Sequence, residues 1–134
     1  MRLHKDAKTE LIKAIPLFRD CTGAEVAEVA AIADEIDLRE GKLLTTENSD
    51  GREFVVIIDG TADVLRHDEL INTLGPGDWF GEIAVITGRP RTATVVATSP
   101  VHALVVEGHR FLQLLEHAPD IRTKVEQVLA EREG

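Results

Sequence analysis

The chain has 134 residues, of which 43% are hydrophobic and 29% are charged, and its formal net charge is −9. These values are typical of a globular domain of ordinary size and exclude disordered and fibrous proteins. An acidic surface repels polyphosphate, so we expect no direct contact with nucleic acid.

The sequence carries no targeting or membrane signal. Its first residues, MRLHKDAKTE, lack the continuous apolar region of a secretion signal, and no apolar run reaches membrane length. We therefore expect a cytoplasmic protein with no membrane contact. The single cysteine, Cys21, cannot form an internal disulfide and is expected to pack in the core.

The N-terminal part of the sequence, residues 5–34, is predicted to be helical. A short helix is expected from Ala7 to Ile15, and Pro16 ends it. Thr22 and Glu25 then form a capping box, because the two side chains can each satisfy a backbone N–H of the other residue. Apolar residues recur at helical spacing after the box, which predicts a helix from Gly23 to Asp34.

Residues 35–107 are predicted to form short β-strands separated by turns. Such a pattern indicates a barrel, a sandwich or a jelly roll. The predicted strands are Ile36 to Arg39, Lys42 to Thr46, Phe54 to Ile58, Thr61 to Arg66, Leu70 to Leu74, Thr92 to Ala97 and Val101 to Val106.

Two further helical regions are predicted. Residues 82–87 lack the period-2 alternation of a strand and follow Gly81, which favours a short helix. Residues 108–133 return to helical spacing with a break at Pro119. The absence of repeats and linkers predicts one α+β domain over residues 1–134.

The segment around the short helix contains the groups of an anion site. The first N–H groups of a helix lack intrahelical acceptors, and Gly81 would let an anion approach them. Arg91 could supply two charge-assisted hydrogen bonds to a phosphodiester, and Glu82 could accept from a sugar hydroxyl. The alternative is that Glu82 and Arg91 form an ordinary surface ion pair. Arg89 is expected to be a solvated loop residue.

The stretch FGEIAVITGRPRTATV, residues 80–95, resembles the phosphate-binding cassette of cyclic nucleotide-binding domains. Its elements are Phe-Gly-Glu-aliphatic-Ala, a variable loop and Arg-x-Ala-Thr-aliphatic. The resemblance extends over roughly residues 11–129. It implies an antiparallel β-roll, also called a double-stranded β-helix and similar to a jelly roll, with helices at both ends.

The resemblance also implies a role for each cassette residue. Glu82 would accept from the ribose 2′-OH, Arg91 would pair with the cyclic phosphate, and Thr92 would lie beside phosphate and base without choosing between cAMP and cGMP. The implied ligand-binding residues are Gly81, Glu82, Ile83, Ala84, Arg91 and Thr92. No catalytic residue, metal or cofactor is implied besides the ligand, cAMP or cGMP.

The predicted function is a cyclic nucleotide sensor that moves its C-terminal helices and relays to a second copy of the chain or to an effector. No helix-turn-helix segment is expected, unlike in bacterial transcription factors of the family. Apolar residues of the last helix would either cap the base or pack on the roll: Ile121, Val125, Val128 and Leu129. The alternative function is an interaction or dimerisation module that no longer binds nucleotide. A cupin-type enzyme would need a cluster of metal ligands, and the five histidines show no such spacing.

Overall fold

The computed structural model describes the backbone of residues 5–88 and 90–133, with all their side chains except those at positions 5–7, 82, 83, 132 and 133. The α-helices are Lys5–Ala14 (α1), Gly23–Ile32 (α2), Glu82–Thr87 (α3), Gly108–His117 (α4) and Pro119–Glu133 (α5), and Pro16–Phe18 forms a 3₁₀ turn. The strands are Ala33–Leu38 (β1), Leu43–Thr45 (β2), Glu53–Asp59 (β3), Ala62–Arg66 (β4), Glu69–Leu74 (β5), Trp79–Phe80 (β6), Thr94–Ala97 (β7) and Val101–Glu107 (β8). In this part of the chain, none of the helices has the length and apolar character needed to cross a membrane.

The strands form two antiparallel four-stranded sheets. One sheet has the order β1-β8-β3-β6 and the other has the order β2-β7-β4-β5. In both sheets a strand from the end of the roll lies between strands from its beginning, so the chain winds around itself. The predicted antiparallel β-roll with helices at both ends is confirmed.

The described residues form two hydrophobic cores. One lies between the two sheets and contains Val55, Ile57 and Val95 among others. The other joins the outer face of the first sheet to the helices, where the rings of Phe54 and Phe111 stack with centroids 4.1 Å apart. Alternate residues of β3 therefore enter different cores, as the two-residue period of a strand requires.

The capping box at the start of α2 is confirmed. The Glu25 backbone N–H donates to Thr22 Oγ1 at 3.2 Å, and the Thr22 backbone N–H donates to Glu25 Oε1 at 2.8 Å. The predicted end of this helix at Asp34 is wrong, because the helix stops at Ile32 and the chain is already extended at Ala33. Antiparallel pairing of residues 33–38 with β8 replaces the last helical turn.

The predicted start of a strand at Thr92 is also wrong, because β7 begins at Thr94. Arg91, the residue before Thr92, instead bonds to a loop. Its N–H donates to the Ser49 carbonyl at 2.9 Å, and its carbonyl accepts from the Asn48 N–H at 2.8 Å. The two-residue strand β6, which pairs with β3, was not predicted. The short helix expected at residues 82–87 has the predicted bounds.

Candidate functional site

A cavity of about 270 Å³ lies on the inner face of the second sheet. Strands β4, β5 and β7 form its floor, and the segment from Phe80 to Ala84 and the loop before β7 form its walls. The described lining residues are mostly apolar, with arginines at two places, Arg66 and Arg91. A concave, largely apolar site with a few polar groups is typical of a small-molecule pocket.

Arg91 lines this cavity with a buried side chain. Its side chain is only 5% exposed, and Nη2 donates to the Glu53 carbonyl at 2.8 Å and to Glu53 Oε2 at 3.2 Å. A buried guanidinium is costly unless its charge is paired and its N–H groups are bonded. The alternative in which Arg91 forms an ordinary surface ion pair is wrong, because its side chain is buried and lines the cavity.

Gly81 brings the backbone against this guanidinium. Its φ is +100°, and a Cβ atom at this position would lie 2.2 Å from the Glu53 carbonyl oxygen and 2.7 Å from Arg91 Nη1. Glycine is needed here both for the left-handed backbone and for the close approach. Gly81 has no side chain to cap α3, so the helix begins beside the cation without a side-chain acceptor.

Helix α3 faces two parts of the molecule. Ala84 is 2% exposed and lines the cavity, whereas Val85 is 5% exposed and belongs to the core shared with the terminal helices. The helix packs against α4 and α5. One short helix, α3, therefore connects the wall of the cavity to the C-terminal helices.

Thr92 lies at the mouth of the cavity with an exposed side chain, and its carbonyl accepts from Arg66 Nε at 3.1 Å. The structure therefore brings four of the predicted site residues together around one cavity: Gly81, Ala84, Arg91 and Thr92. The side chains of Glu82 and Ile83, and the whole of Arg89, lie outside the described part of the chain.

The described residues of the last helix, α5, are not among those that line the cavity. Ile121 and Val125 are fully buried in the helical core, and α5 packs against the 3₁₀ turn, α3 and α4. No described residue that lines the cavity comes from α4 or α5. Of the two roles considered for these apolar residues, the structure shows packing on the body of the protein for Ile121 and Val125.

Several residues at the cavity were not predicted from the sequence. Glu53, which holds Arg91, stands 38 positions before it and lies on β3, in the sheet opposite to the one that β7 joins. Arg66, Ile71 and Asn72 line the cavity from β4 and β5, and nothing in their local pattern marks them. On a protein of net charge −9 an anionic ligand needs a local cation, and this requirement is a signal that could have pointed to Arg66.

Three of the described histidines, His67, His102 and His117, lie beside carboxylates. His102 Nδ1 is 2.7 Å from Asp37 Oδ1, and His117 Nε2 is 2.5 Å from Glu28 Oε1. Among the residues with described positions, no three histidine, cysteine or acidic groups are arranged to hold a metal ion.

A comparison with protein families identifies residues 35–118 as a cyclic nucleotide-binding domain. The matched region extends from β1 to the end of α4 and includes every described residue that lines the cavity.

Solved structures share the fold. One described as Sp-2Cl-cAMPS bound to PKAR CBD2 is 23% identical with a TM-score of 0.86, and the match covers 96% of this chain and 87% of the other. The structure of cAMP-bound PfPKA-R (141–441) is 25% identical with a TM-score of 0.82, covering 96% and 47%. The regulatory subunit of a cAMP-independent protein kinase A from Trypanosoma brucei is 18% identical with a TM-score of 0.85, covering 92% and 45%. The chain therefore spans about half the length of the latter two.

Proposed function

This chain belongs to the cyclic nucleotide-binding domain family, and we propose that it is a sensor domain, residues 1–134, that binds cAMP or cGMP in the cavity of the β-roll. Domains of this family are regulatory and non-catalytic. The finding that carries the proposal is Arg91, a cation only 5% exposed at the wall of a cavity in a protein of net charge −9. A local cation is what an anionic ligand requires on an acidic protein.

In this proposal the cyclic phosphate binds between Arg91 and the start of α3. The guanidinium donates from one side, and the first backbone N–H groups of the helix donate from the other. Glu82 accepts from the ribose 2′-OH, and Thr92 lies beside the base. The proposed ligand-binding residues are Gly81, Glu82, Ile83, Ala84, Arg91 and Thr92.

The purine and ribose would contact the apolar part of the cavity. Leu74, Phe80 and Val95 are at most 7% exposed and present carbon atoms to its interior. Covering the apolar faces of a nucleotide on this wall removes them from water, which favours binding by about 25 cal/mol per Å² of buried apolar surface.

We propose that binding is transmitted through α3 to α4 and α5. Ala84 faces the ligand and Val85 faces the helical core, so a shift of α3 toward a bound phosphate changes the packing of Val85 against the terminal helices. The size of the response is limited by how much more tightly the ligand binds one arrangement of these helices than the other. The receiver of the signal would be an effector or a second copy of the chain that contacts α4 and α5.

Two of the similar structures support a nucleotide ligand, because they are described as bound to cAMP or to Sp-2Cl-cAMPS. The Trypanosoma brucei protein shows that the fold also occurs in a regulatory subunit described as cAMP-independent. The buried Arg91 at the cavity favours ligand binding over the alternative of an interaction module that has lost it.

Calorimetric titration of Arg91 variants with cAMP and cGMP tests the proposal. Removing one partner of a buried charge pair costs about 2–5 kcal/mol, so Arg91→Ala should weaken binding by roughly 30-fold to several thousand-fold. Arg91→Lys keeps the charge but loses the planar fork and should also bind more weakly than the unmodified chain.

Arg122→Ala is the matched control, because the Arg122 side chain is 58% exposed and lies on α5. It removes the same charge and should leave the affinity unchanged. Equal affinity of Arg91→Ala and the unmodified chain, with both proteins folded by circular dichroism, would contradict the assignment of the phosphate site.

A further inference from the structure

The cavity has a second polar end, at its mouth, that is formed by the β4–β5 hairpin. Arg66 is the last residue of β4, and Asn72 lies on β5; both line the cavity. The strand register shifts between Val64 and Leu65, so that Val64 pairs with Asn72 while Leu65 pairs with Leu70. Such a bulge changes the direction in which side chains point, and here both Ile71 and Asn72 line the cavity.

The polar groups at this end offer hydrogen-bond donors. Arg66 Nε donates to the Thr92 carbonyl at 3.1 Å, which fixes the side chain at the mouth. The other N–H groups of a guanidinium, on Nη1 and Nη2, are all donors. Asn72 Oδ1 accepts from the Thr73 backbone N–H at 2.8 Å. Asn72 lines the cavity, so its Nδ2 group adds a further donor there.

We propose that Arg66 and Asn72 read the base and that Arg66 selects guanine over adenine. This inference rests on the proposed function, because it concerns the base of the same nucleotide. Guanine presents two neighbouring acceptors, O6 and N7, whereas adenine presents the acceptor N7 beside the N6 amino donor. A donor-rich mouth satisfies both guanine atoms and places a donor against the adenine amine.

Asparagine can also bind adenine, through its oxygen to N6–H₂ and its nitrogen to N7. The Asn72 oxygen has two lone pairs and can accept from N6–H₂ while it keeps the bond from the Thr73 N–H, so Asn72 by itself does not discriminate between the two bases. Arg66 has no acceptor to offer an adenine amine in any orientation. Arg66 is therefore the residue that favours guanine, and Asn72 adds a donor that either base can use.

Titration of the full chain with cGMP, cAMP and cyclic inosine monophosphate tests this. The inosine nucleotide keeps O6 and N7 but lacks the 2-amino group, so it isolates the atoms that Arg66 and Asn72 would read. We expect cGMP to bind at least about tenfold more tightly than cAMP, since a bidentate contact from arginine to guanine discriminates by roughly five- to 150-fold. Cyclic inosine monophosphate should bind more nearly like cGMP.

Arg66→Ala should lower the ratio of cGMP affinity to cAMP affinity about tenfold by weakening cGMP alone. Arg110→Ala, on the exposed side of α4, is the control and should leave the ratio unchanged. Tighter binding of cAMP, or an Arg66→Ala variant with an unchanged ratio, would overturn the inference while leaving the proposed function intact. A folded chain that binds none of the three nucleotides would overturn both.

Discussion

Arg91 Nη2 lies 2.8 Å from the carbonyl oxygen of Glu53 and 3.2 Å from its carboxylate oxygen Oε2. The hydrogen bond to the carbonyl depends on the backbone of β3 and does not require the Glu53 side chain. The Glu53 carboxylate is 51% exposed and adds a screened negative charge beside the proposed phosphate. The two contacts therefore have different consequences for an anionic ligand.

Glu53→Gln should raise the affinity for a cyclic nucleotide about threefold. The backbone carbonyl still positions Arg91, and removing one charge several ångströms from a phosphate changes the binding free energy by about 0.7 kcal/mol in a water-like dielectric. Calorimetric titration at low and high salt measures the effect, which should shrink with added salt. A tenfold loss of affinity would show that the carboxylate, rather than the carbonyl, positions Arg91.

Gly81→Ala should destabilise the protein by about 2–6 kcal/mol, because it combines a strained backbone with a clash against the Glu53 carbonyl. Gly88→Ala is the matched control: its φ is also positive, at +72°, but a Cβ there has no other atom within 4 Å. We expect only about 1–2 kcal/mol for that change. Urea unfolding compares the two variants, and equal losses would show that the close contact at Gly81 contributes nothing.

Asp68→Gly should stabilise the protein by roughly 0.5–1 kcal/mol. His67 and Asp68 form the two-residue turn between β4 and β5, and their φ values are +52° and +62°. Glycine adopts positive φ more readily than aspartate does, and it is favoured at the second position of such hairpin turns.

Asp63→Gly, in the middle of β4, provides the control for Asp68→Gly. There the greater backbone freedom of glycine in the unfolded chain should lower stability by roughly 0.5–1 kcal/mol. Thermal unfolding of both variants should thus give midpoints that move in opposite directions. A lowered midpoint for Asp68→Gly would mean that its side chain contributes more than its backbone strain costs.

Burial raises the pKa of the Cys21 thiol from 9.0 to about 11, with the neighbouring charge of Glu25 adding to the rise. The unfolded chain therefore loses this proton first, so the protein is destabilised as pH rises from 9.0 toward 11 and is unaffected below that range. The chain has no tyrosine to titrate in the same window. In urea unfolding across this range, the unmodified protein should lose more stability than Cys21→Ala, and parallel curves for the two proteins would contradict the prediction.

Most of the fold follows from local patterns. The capping box at Thr22 locates the start of α2, and turn residues separate the strands, because these signals depend on backbone geometry within a few residues. The end of α2 could not be predicted this way. Alanine at position 33 suits a helix, yet it lies in β1 because a distant strand, β8, offers hydrogen bonds there.

The residues of the cavity also fall into those that the sequence predicts and those that it does not. Gly81 and Arg91 were identified from one continuous segment, in which glycine, helix start and arginine follow each other. Glu53, Arg66 and Asn72 come from separate strands, and their relation to that segment is created only when the two sheets form. The loop bonds of Arg91 to Asn48 and Ser49, which delay the start of β7, have the same long-range origin.

Calorimetric titration of the unmodified chain with cGMP and cAMP tests the central claim most directly. The account predicts one nucleotide bound per chain with a dissociation constant in the micromolar range or below, and no comparable binding of the linear 5′-monophosphates. A folded chain that takes up neither cyclic nucleotide at millimolar concentration would contradict it.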